Sequence, residues 1–268
     1  MHIIKNLKNQ IKSNPKNFLI YSILRILVII VMIRSIFTRN FEAVFLCALS
    51  LILLLGPAFV EKNFQIEIPD GLEIGIYLFI FASEILGEII NFYEMIPWWD
   101  TMLHTINGFA CAAIGFALVD LMNERKDGIK KLSPIYLSFV AFCFSMTIGV
   151  LWEFGEYTVD HLFLTDSQRD TLVKEFSSYT MDPSHEKPLK ISDIEYTEIH
   201  AKSGEVYIVE NGYLDIGIND TIKDLFVNLI GAILFSINGY IFVKKRTNKQ
   251  LIEQIVPRPM HSSEQDEI

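Results

Sequence analysis

The sequence predicts an all-α transmembrane bundle of about six helices with a small extracytoplasmic β-hairpin insertion. Three observations lead to this fold class: 51% of the 268 residues are hydrophobic, they are gathered into long blocks, and an acidic segment precedes the last block. A block of about 18 or more apolar residues is long enough to cross a bilayer core of roughly 30 Å. Six blocks qualify: 18–37, 41–60, 72–92, 98–122, 134–158 and 221–243.

The charge and cysteine content narrow the class of protein. The net charge of −9 argues against nucleic-acid binding, because such proteins carry basic surfaces. The three cysteines, Cys47, Cys111 and Cys143, lie in apolar blocks, so we infer no disulfide framework. The first block contains Arg25 and Arg34 and lacks a small-residue cleavage site, which favours a retained helix over a signal peptide.

Basic residues predict the orientation, because Lys and Arg in short loops favour the cytoplasm. They cluster in residues 1–17, in the loop 123–132 and at 244–246, and six crossings place all three on one side. We therefore expect a multi-pass protein of a bacterial plasma (inner) membrane with both termini cytoplasmic. The predicted division is a cytoplasmic N-terminus (1–17), two N-terminal helices (18–60), a four-helix polar-site core (72–161 and 219–243), an extracytoplasmic insertion (162–218) and a cytoplasmic tail (244–268).

The insertion 162–218 carries five Lys or Arg and eleven Asp or Glu residues. Two β-prone runs lie within it, one containing Ile191, Ile194, Tyr196 and Ile199 and the other spanning 206–209. The sequence Ala-Lys-Ser-Gly between them indicates a turn. We expect a hairpin over the outer face of the membrane.

Polar residues form a stripe on each of the last four predicted helices. An ionisable residue at the bilayer centre costs about 2.5–3.5 kcal/mol, so each needs a partner or a function. In the predicted topology the four stripes all lie at the outer side of the membrane, which indicates a shared site. The stripes are Glu84, Glu88 and Asn91; Asp100, His104 and Gly108; Glu153, Glu156 and Asp160; and Asp220, Asp224, Asn228 and Gly231.

The residue types in these stripes suit a divalent metal ion. Carboxylates with one imidazole form an oxygen-rich set that fits Mg, Mn or Zn. The bases expected near the outer end are His104, Arg34 and Arg39. Candidate ligands are His104, Asp100, Glu88, Asp220 and Asp224, and the candidate catalytic carboxylates are Glu153 and Glu156. Asp100 and Asp220 also suit helix N-caps, and a lone histidine is more often a hydrogen-bonded core residue than a ligand.

Three functions stay open at this point. The first is a metal-assisted enzyme acting on a lipid-linked or cell-envelope substrate, with one glutamate as general base. The second is a protein that binds or transports a cation or proton through the same residues. The third is a structural or interaction protein whose polar residues join helices. No HExxH, GxSxG or phosphate-loop motif appears, and the inner halves of the helices look apolar apart from Arg25, which counts against transport.

The combined motifs resemble those of a known group of proteins. Asp100-x3-His104-x3-Gly108-Phe109, Trp152-Glu153-x2-Glu156 and Asp220-Thr221-x2-Asp224-x3-Asn228-x2-Gly231-Ala232 are similar to motifs of the YjdF-like bacterial membrane proteins. More distantly, they resemble VanZ-like proteins, from which the chain departs by having Glu156 where Gln is usual and by its long insertion. The resemblance covers about residues 72–243 and implies a multi-pass bacterial membrane protein, without implying a particular reaction.

Overall fold

The structure is a computed structural model that describes residues 15–64, 66–124, 132–245 and 258–259. The basic residues of the N-terminus before residue 15, of the loop 125–131 and of the tail after residue 245 lie mostly outside this part of the chain. The helices are α1 Pro15–Phe37, α2 Phe41–Leu53, α3 Gly56–Phe64, α4 Asp70–Ile80, a π-helix Phe81–Ile89, α5 Phe92–Met95, α6 Trp99–Glu124, α7 Pro134–Phe163 and α8 Ile218–Lys245. The strands are β1 Ile66–Glu67, β2 Leu172–Val173, β3 Phe176–Ser178, β4 Leu189–Ile191, β5 Tyr196–His200, β6 Val206–Glu210, β7 Tyr213–Leu214 and β8 Arg258–Pro259.

The predicted membrane bundle is confirmed. Among the described residues, five helical segments are long and apolar enough to cross a membrane. They are Pro15–Phe37, Phe41–Asn63, Trp99–Asp120, Pro134–Phe163 and Ile218–Ile241, and they correspond to five of the six predicted blocks.

The remaining block, 72–92, differs from a single α-helix. Helix α4 passes directly into the π-helix, and both Ile80 and Phe81 keep right-handed helical dihedral angles at the junction. In a π-helix the N–H bonds the carbonyl five residues earlier, as the Ile90 N–H does with Ile85 at 3.0 Å. Side-chain positions along this segment therefore depart from the α-helical period on which the prediction was based.

Local sequence explains where several helices begin. Asn40 caps α2, because its side-chain oxygen accepts the N–H of Ala43 at 3.1 Å. Ser133 accepts the N–H of Tyr136 at 3.3 Å, and the following Pro134 occupies the first helical position, where its missing N–H has no cost.

The chain divides into two compact units, and the first comprises residues 1–148 and 227–268. Its buried apolar residues form separate clusters. One joins α6, α7 and α8 through Ala112, Ala113, Phe116, Leu137, Ala141, Ala232 and Phe235. Each of the other two clusters joins α1 to the second and third predicted blocks. One consists of Leu24, Leu54 and Tyr77, and the other of Val28, Cys47 and Ile85. The short strands β1 and β8 also pair in this unit.

The second unit comprises residues 149–226 and contains the β insertion. The predicted hairpin is confirmed: β5 and β6 pair antiparallel, and Gly204 in their turn has φ +92°, which favours glycine. The structure corrects one detail, because Ile191 belongs to β4, which pairs with β3 instead of extending β5. Strand β2, which follows α7 in the chain, pairs with β7, which precedes α8.

Candidate functional site

The start of α6 brings two of the predicted ligands together. Asp100 and His104 lie one helical turn apart, and the His104 Nε2 atom is 3.4 Å from the Asp100 Oδ1 atom. Both side chains are mostly buried, with 13% of His104 and 18% of Asp100 exposed. A histidine whose ring nitrogen faces a carboxylate can hold a proton or share a metal ion with it.

One turn deeper, α6 and α8 are in close backbone contact within the first unit. A methyl group on Gly108 would collide with the carbonyl oxygen of Asn228, and one on Gly231 would collide with that of Thr105. The Asn107 side-chain N–H donates to the Asn228 side-chain oxygen at 3.3 Å. Small residues in the two stripes therefore serve to bring two membrane helices together.

Helices α6 and α8 run in the same direction, as the predicted topology requires. Asn228 contacts Asn107 and Gly108, whereas Gly239, further along α8, lies against Phe116, further along α6. Helix α7 is fixed to this pair by Ser145, whose hydroxyl donates to the Gly108 carbonyl at 2.7 Å. Asp224 precedes Asn228 by one turn of α8, and His104 precedes Gly108 by one turn of α6.

In the second unit, the predicted set of bases is incomplete. Besides His104, Arg34 and Arg39, a further base is present in the stripe of α8 itself. The Lys223 ammonium lies 3.3 Å from Asp220 and 3.6 Å from Asp224, and Asp224 is almost fully buried. Asp220 also accepts the backbone N–H of Arg169 at 3.1 Å. The stripe pattern does not include Lys223, because Lys223 precedes Asp224 directly and does not share the i, i+4 spacing of the acidic residues.

The glutamates at the end of α7 differ in their surroundings. Glu153 is buried, with 4% of its surface exposed, whereas Glu156 is half-buried and accepts the indole N–H of the exposed Trp152 at 2.8 Å. Asp160 accepts the backbone N–H groups of Ser167 and Gln168 at 2.7 and 2.8 Å, so it caps the start of the insertion.

The polar residues of the third block differ in their surroundings. Glu84 is half-buried, but Glu88 is exposed, and Asn91 ends the helix with a left-handed backbone at φ +69°. Glu84 and Glu88, four residues apart, stay near each other in the π-helical segment, whereas Asn91 lies beyond its end. The nearby Tyr93 packs on Gly87 and lies 3.3 Å from the Ser83 hydroxyl.

A second polar network lies near the start of α1, where the sequence prediction expected apolar surroundings apart from Arg25. Tyr77 donates to Glu73 at 2.6 Å, and Asn17 donates to the other oxygen of the same carboxylate at 2.6 Å. Arg25 donates to the hydroxyl of Tyr21 at 2.8 Å. The i, i+4, i+8 spacing of Asn17, Tyr21 and Arg25 puts them on one face of α1, and it is the sequence pattern that indicates this network.

The fold and these buried polar residues define a multi-pass α-helical membrane protein that resides in the lipid bilayer. The chain belongs to the family described as predicted membrane protein (DUF2238), which matches residues 20–245. It is similar to an uncharacterized protein of Thermotoga maritima, with 27% identity over 134 residues, which are 47% of this chain and 67% of that protein. No solved structure matches the chain. The family agrees broadly with the YjdF-like resemblance, whereas the VanZ-like resemblance stays a prediction.

Proposed function

We propose that this protein is a metal-assisted hydrolase of a bacterial plasma membrane that acts on a lipid-linked or cell-envelope substrate. The observation that carries the proposal is the mostly buried pair of Asp100 and His104 at the start of a membrane helix. A carboxylate and an imidazole 3.4 Å apart offer one oxygen and one nitrogen ligand to the same divalent cation.

The third proposed ligand is Asp224. Helices α6 and α8 run in the same direction and touch at Gly108 and Asn228. Asp224 lies one turn before Asn228 in the polar stripe of α8, and its predicted role as a ligand rests on that stripe. Asp220 is a weaker candidate, because Lys223 and the backbone of Arg169 already contact its oxygens. Glu88 stays a predicted ligand only, since its side chain is exposed.

The glutamates of α7 supply the proposed acid–base chemistry. A divalent cation held by Asp100 and His104 would lower the pKa of a bound water and polarise the bond to be cleaved. Glu153 accepts a proton as the water oxygen attacks, the ester bond breaks with its electron pair going to the leaving oxygen, and that oxygen takes the proton. Each turnover consumes one water. Glu156 is assigned to substrate positioning, because its exposed neighbour Trp152 offers an aromatic surface.

The test begins with metal content. We expect purified protein to bind about one Mn²⁺ or Zn²⁺ in a titration followed by elemental analysis, and His104→Ala to abolish that binding. His161→Ala is the matched control, because His161 is an exposed histidine on α7 that bonds the Tyr157 carbonyl within its own helix. Equal metal binding by both variants would refute the proposed site.

The hydrolase assignment needs a second measurement. Glu153→Gln should retain the metal but lose hydrolysis of a lipid-linked phosphate ester by about 10²–10⁴-fold, the usual contribution of a general base. If the protein binds metal but shows no metal-dependent hydrolysis of lipid extracts, the hydrolase assignment is refuted and the cation-binding function is retained.

A second candidate, cation or proton transport, is favoured by one observation. The network of Asn17, Tyr21, Arg25, Glu73 and Tyr77 gives the half of the bundle where α1 begins more polar groups than the sequence indicated. Against it, the apolar cluster of Val28, Cys47 and Ile85 lies further along the same helices. Metal uptake into proteoliposomes that His104→Ala abolishes would support transport over hydrolysis.

A further inference from the structure

Arg25 is a cation placed deep in the first membrane helix. It follows Phe18, the first residue of the predicted apolar block, by seven positions, or about 10 Å at 1.5 Å per residue. A charged side chain at such depth is costly unless it finds a partner or reaches the interface. Its guanidinium is half-buried and extends back one turn toward the start of α1, where it meets Tyr21.

Within the described part of the chain, Arg25 makes its hydrogen bond and its cation–π contact with Tyr21. One guanidinium N–H donates to the Tyr21 hydroxyl at 2.8 Å, and the guanidinium carbon lies 5.3 Å from the centre of the Tyr21 ring. No carboxylate in that part of the chain forms an ion pair with Arg25. The Arg25 charge therefore has no carboxylate at ion-pair distance among these residues.

One acidic residue of this network, Glu73, accepts hydrogen bonds from neutral donors. Glu73 receives the Tyr77 hydroxyl on one oxygen and the Asn17 amide on the other, each at 2.6 Å. Asn17 also lies 3.2 Å from Asp70. Both Asn17 and Tyr77 are buried, so this arrangement is a fixed part of the packed bundle.

The same packing holds Tyr21 in place. Its ring lies 5.1 Å from that of Tyr77, at an angle of 44°. Since the Tyr21 oxygen accepts from Arg25, its own O–H proton points elsewhere as a donor. Arg25 and Tyr21 together present several donors and one full positive charge, next to apolar side chains such as Leu24 and Leu54.

We propose that Arg25 and Tyr21 bind a phosphate group of an anionic membrane lipid in the leaflet at which α1 begins. A phosphate supplies the negative charge and the acceptor oxygens that this pair lacks, and arginine matches its geometry with two parallel hydrogen bonds. Basic pockets between membrane helices are a recurring type of lipid headgroup site. The site is separate from the Asp100 and His104 pair and does not depend on its function.

The test uses the full-length protein in a neutral detergent and native mass spectrometry. Titration with phosphatidylglycerol should give a bound lipid, whereas phosphatidylcholine, whose phosphate is neutralised by its choline, should bind at least about tenfold more weakly. Arg25→Gln should weaken phosphatidylglycerol binding by at least about tenfold, and Tyr21→Phe, which keeps the ring, by a smaller factor.

Arg34→Gln is the matched control, because Arg34 is an exposed arginine near the other end of the same helix. Its removal should leave the tight binding unchanged. If Arg25→Gln is not monodisperse, Arg25→Lys tests the same point, since it keeps the charge but loses the paired hydrogen bonds and should bind at an intermediate level. Displacement of the lipid by millimolar inorganic phosphate would assign the site to free phosphate. Equal binding by wild type and both Arg25 variants would overturn the proposal.

Discussion

At the scale of single residues, Gly108 and Gly231 lie where the backbones of α6 and α8 touch. Gly108→Ala would place a methyl group against the Asn228 carbonyl oxygen. Overpacking of this kind costs about 1–3 kcal/mol in the free energy of unfolding. We therefore expect Gly108→Ala to lower the Tm in detergent by several degrees.

Gly75→Ala is the control for this prediction, because an added methyl group at Gly75 meets nothing within 4 Å. Alanine is the better helix former by about 0.5–1 kcal/mol, so this variant should be neutral or slightly more stable. Differential scanning fluorimetry compares the two. Equal Tm values for both variants would mean that α6 and α8 are not in close contact.

Asp224 separates the metal-site interpretation from the structural one. If it is a ligand, Asp224→Asn should reduce the rise in Tm that Mn²⁺ produces in the wild type, because a neutral amide is a poor ligand for a hard cation. If it only joins helices, the amide can still hydrogen-bond and removes a buried charge, so the variant should be neutral or stabilised. The same scan without metal corrects for the lost contact with Lys223.

At the scale of elements, the insertion is fixed by a carboxylate cap. Burial alone would raise the pKa of Asp215, but the backbone N–H groups of Thr171, Asn219 and Gly217 donate to it and outweigh that effect. The net pKa of Asp215 is therefore below its ordinary value of about 3.9. The resulting stabilisation is present above about pH 4 and is lost as the pH falls through the lowered pKa.

We expect the β2–β7 pair, which this carboxylate adjoins, to open more readily on acidification. Hydrogen exchange of Thr171 to Val173, corrected for intrinsic rates, should speed up between about pH 6 and about pH 2. Asp215→Asn should exchange faster than the wild type above about pH 4 and lose most of this dependence. Asp193→Asn, an exposed position with φ +55° that asparagine tolerates, should behave like the wild type. A pH dependence unchanged in Asp215→Asn would contradict the assignment.

The helical elements show which patterns a sequence can predict. Five of the predicted apolar blocks correspond to membrane segments, because bilayer thickness sets the length that a membrane-crossing block must have. The π-helix of the third block could not be foreseen, since Glu84 and Glu88 fit an α-helical face equally well on paper. The hairpin was predicted from its β-prone runs and from Gly204, and only residues 201–205 connect its strands. The connection between β3 and β4 is longer, residues 179–188, and carries no such turn signal.

At the scale of the whole molecule, the candidate site was predictable as far as it depends on helix periodicity. Asp100 and His104 meet because they are one turn apart on the same helix. Lys223 and the Arg25 network depend instead on packing between elements, and single-helix patterns do not reveal which neutral donor will engage Glu73. Helix periodicity thus predicted which residues of a helix lie near one another, and packing between elements determines which partners those residues contact.

The last prediction concerns orientation in the membrane. The basic clusters predict that the loop 123–132 lies inside and the insertion 162–218 outside. Because α6 and α8 run in the same direction, both begin at the same membrane side, so the proposed outer site requires this orientation. After replacement of Cys47, Cys111 and Cys143, Ser203→Cys in the β5–β6 turn should react with a membrane-impermeant maleimide on intact cells. Gly128→Cys, outside the described residues, should react only after permeabilisation, and the reverse pattern would place the Asp100 and His104 pair at the cytoplasmic side.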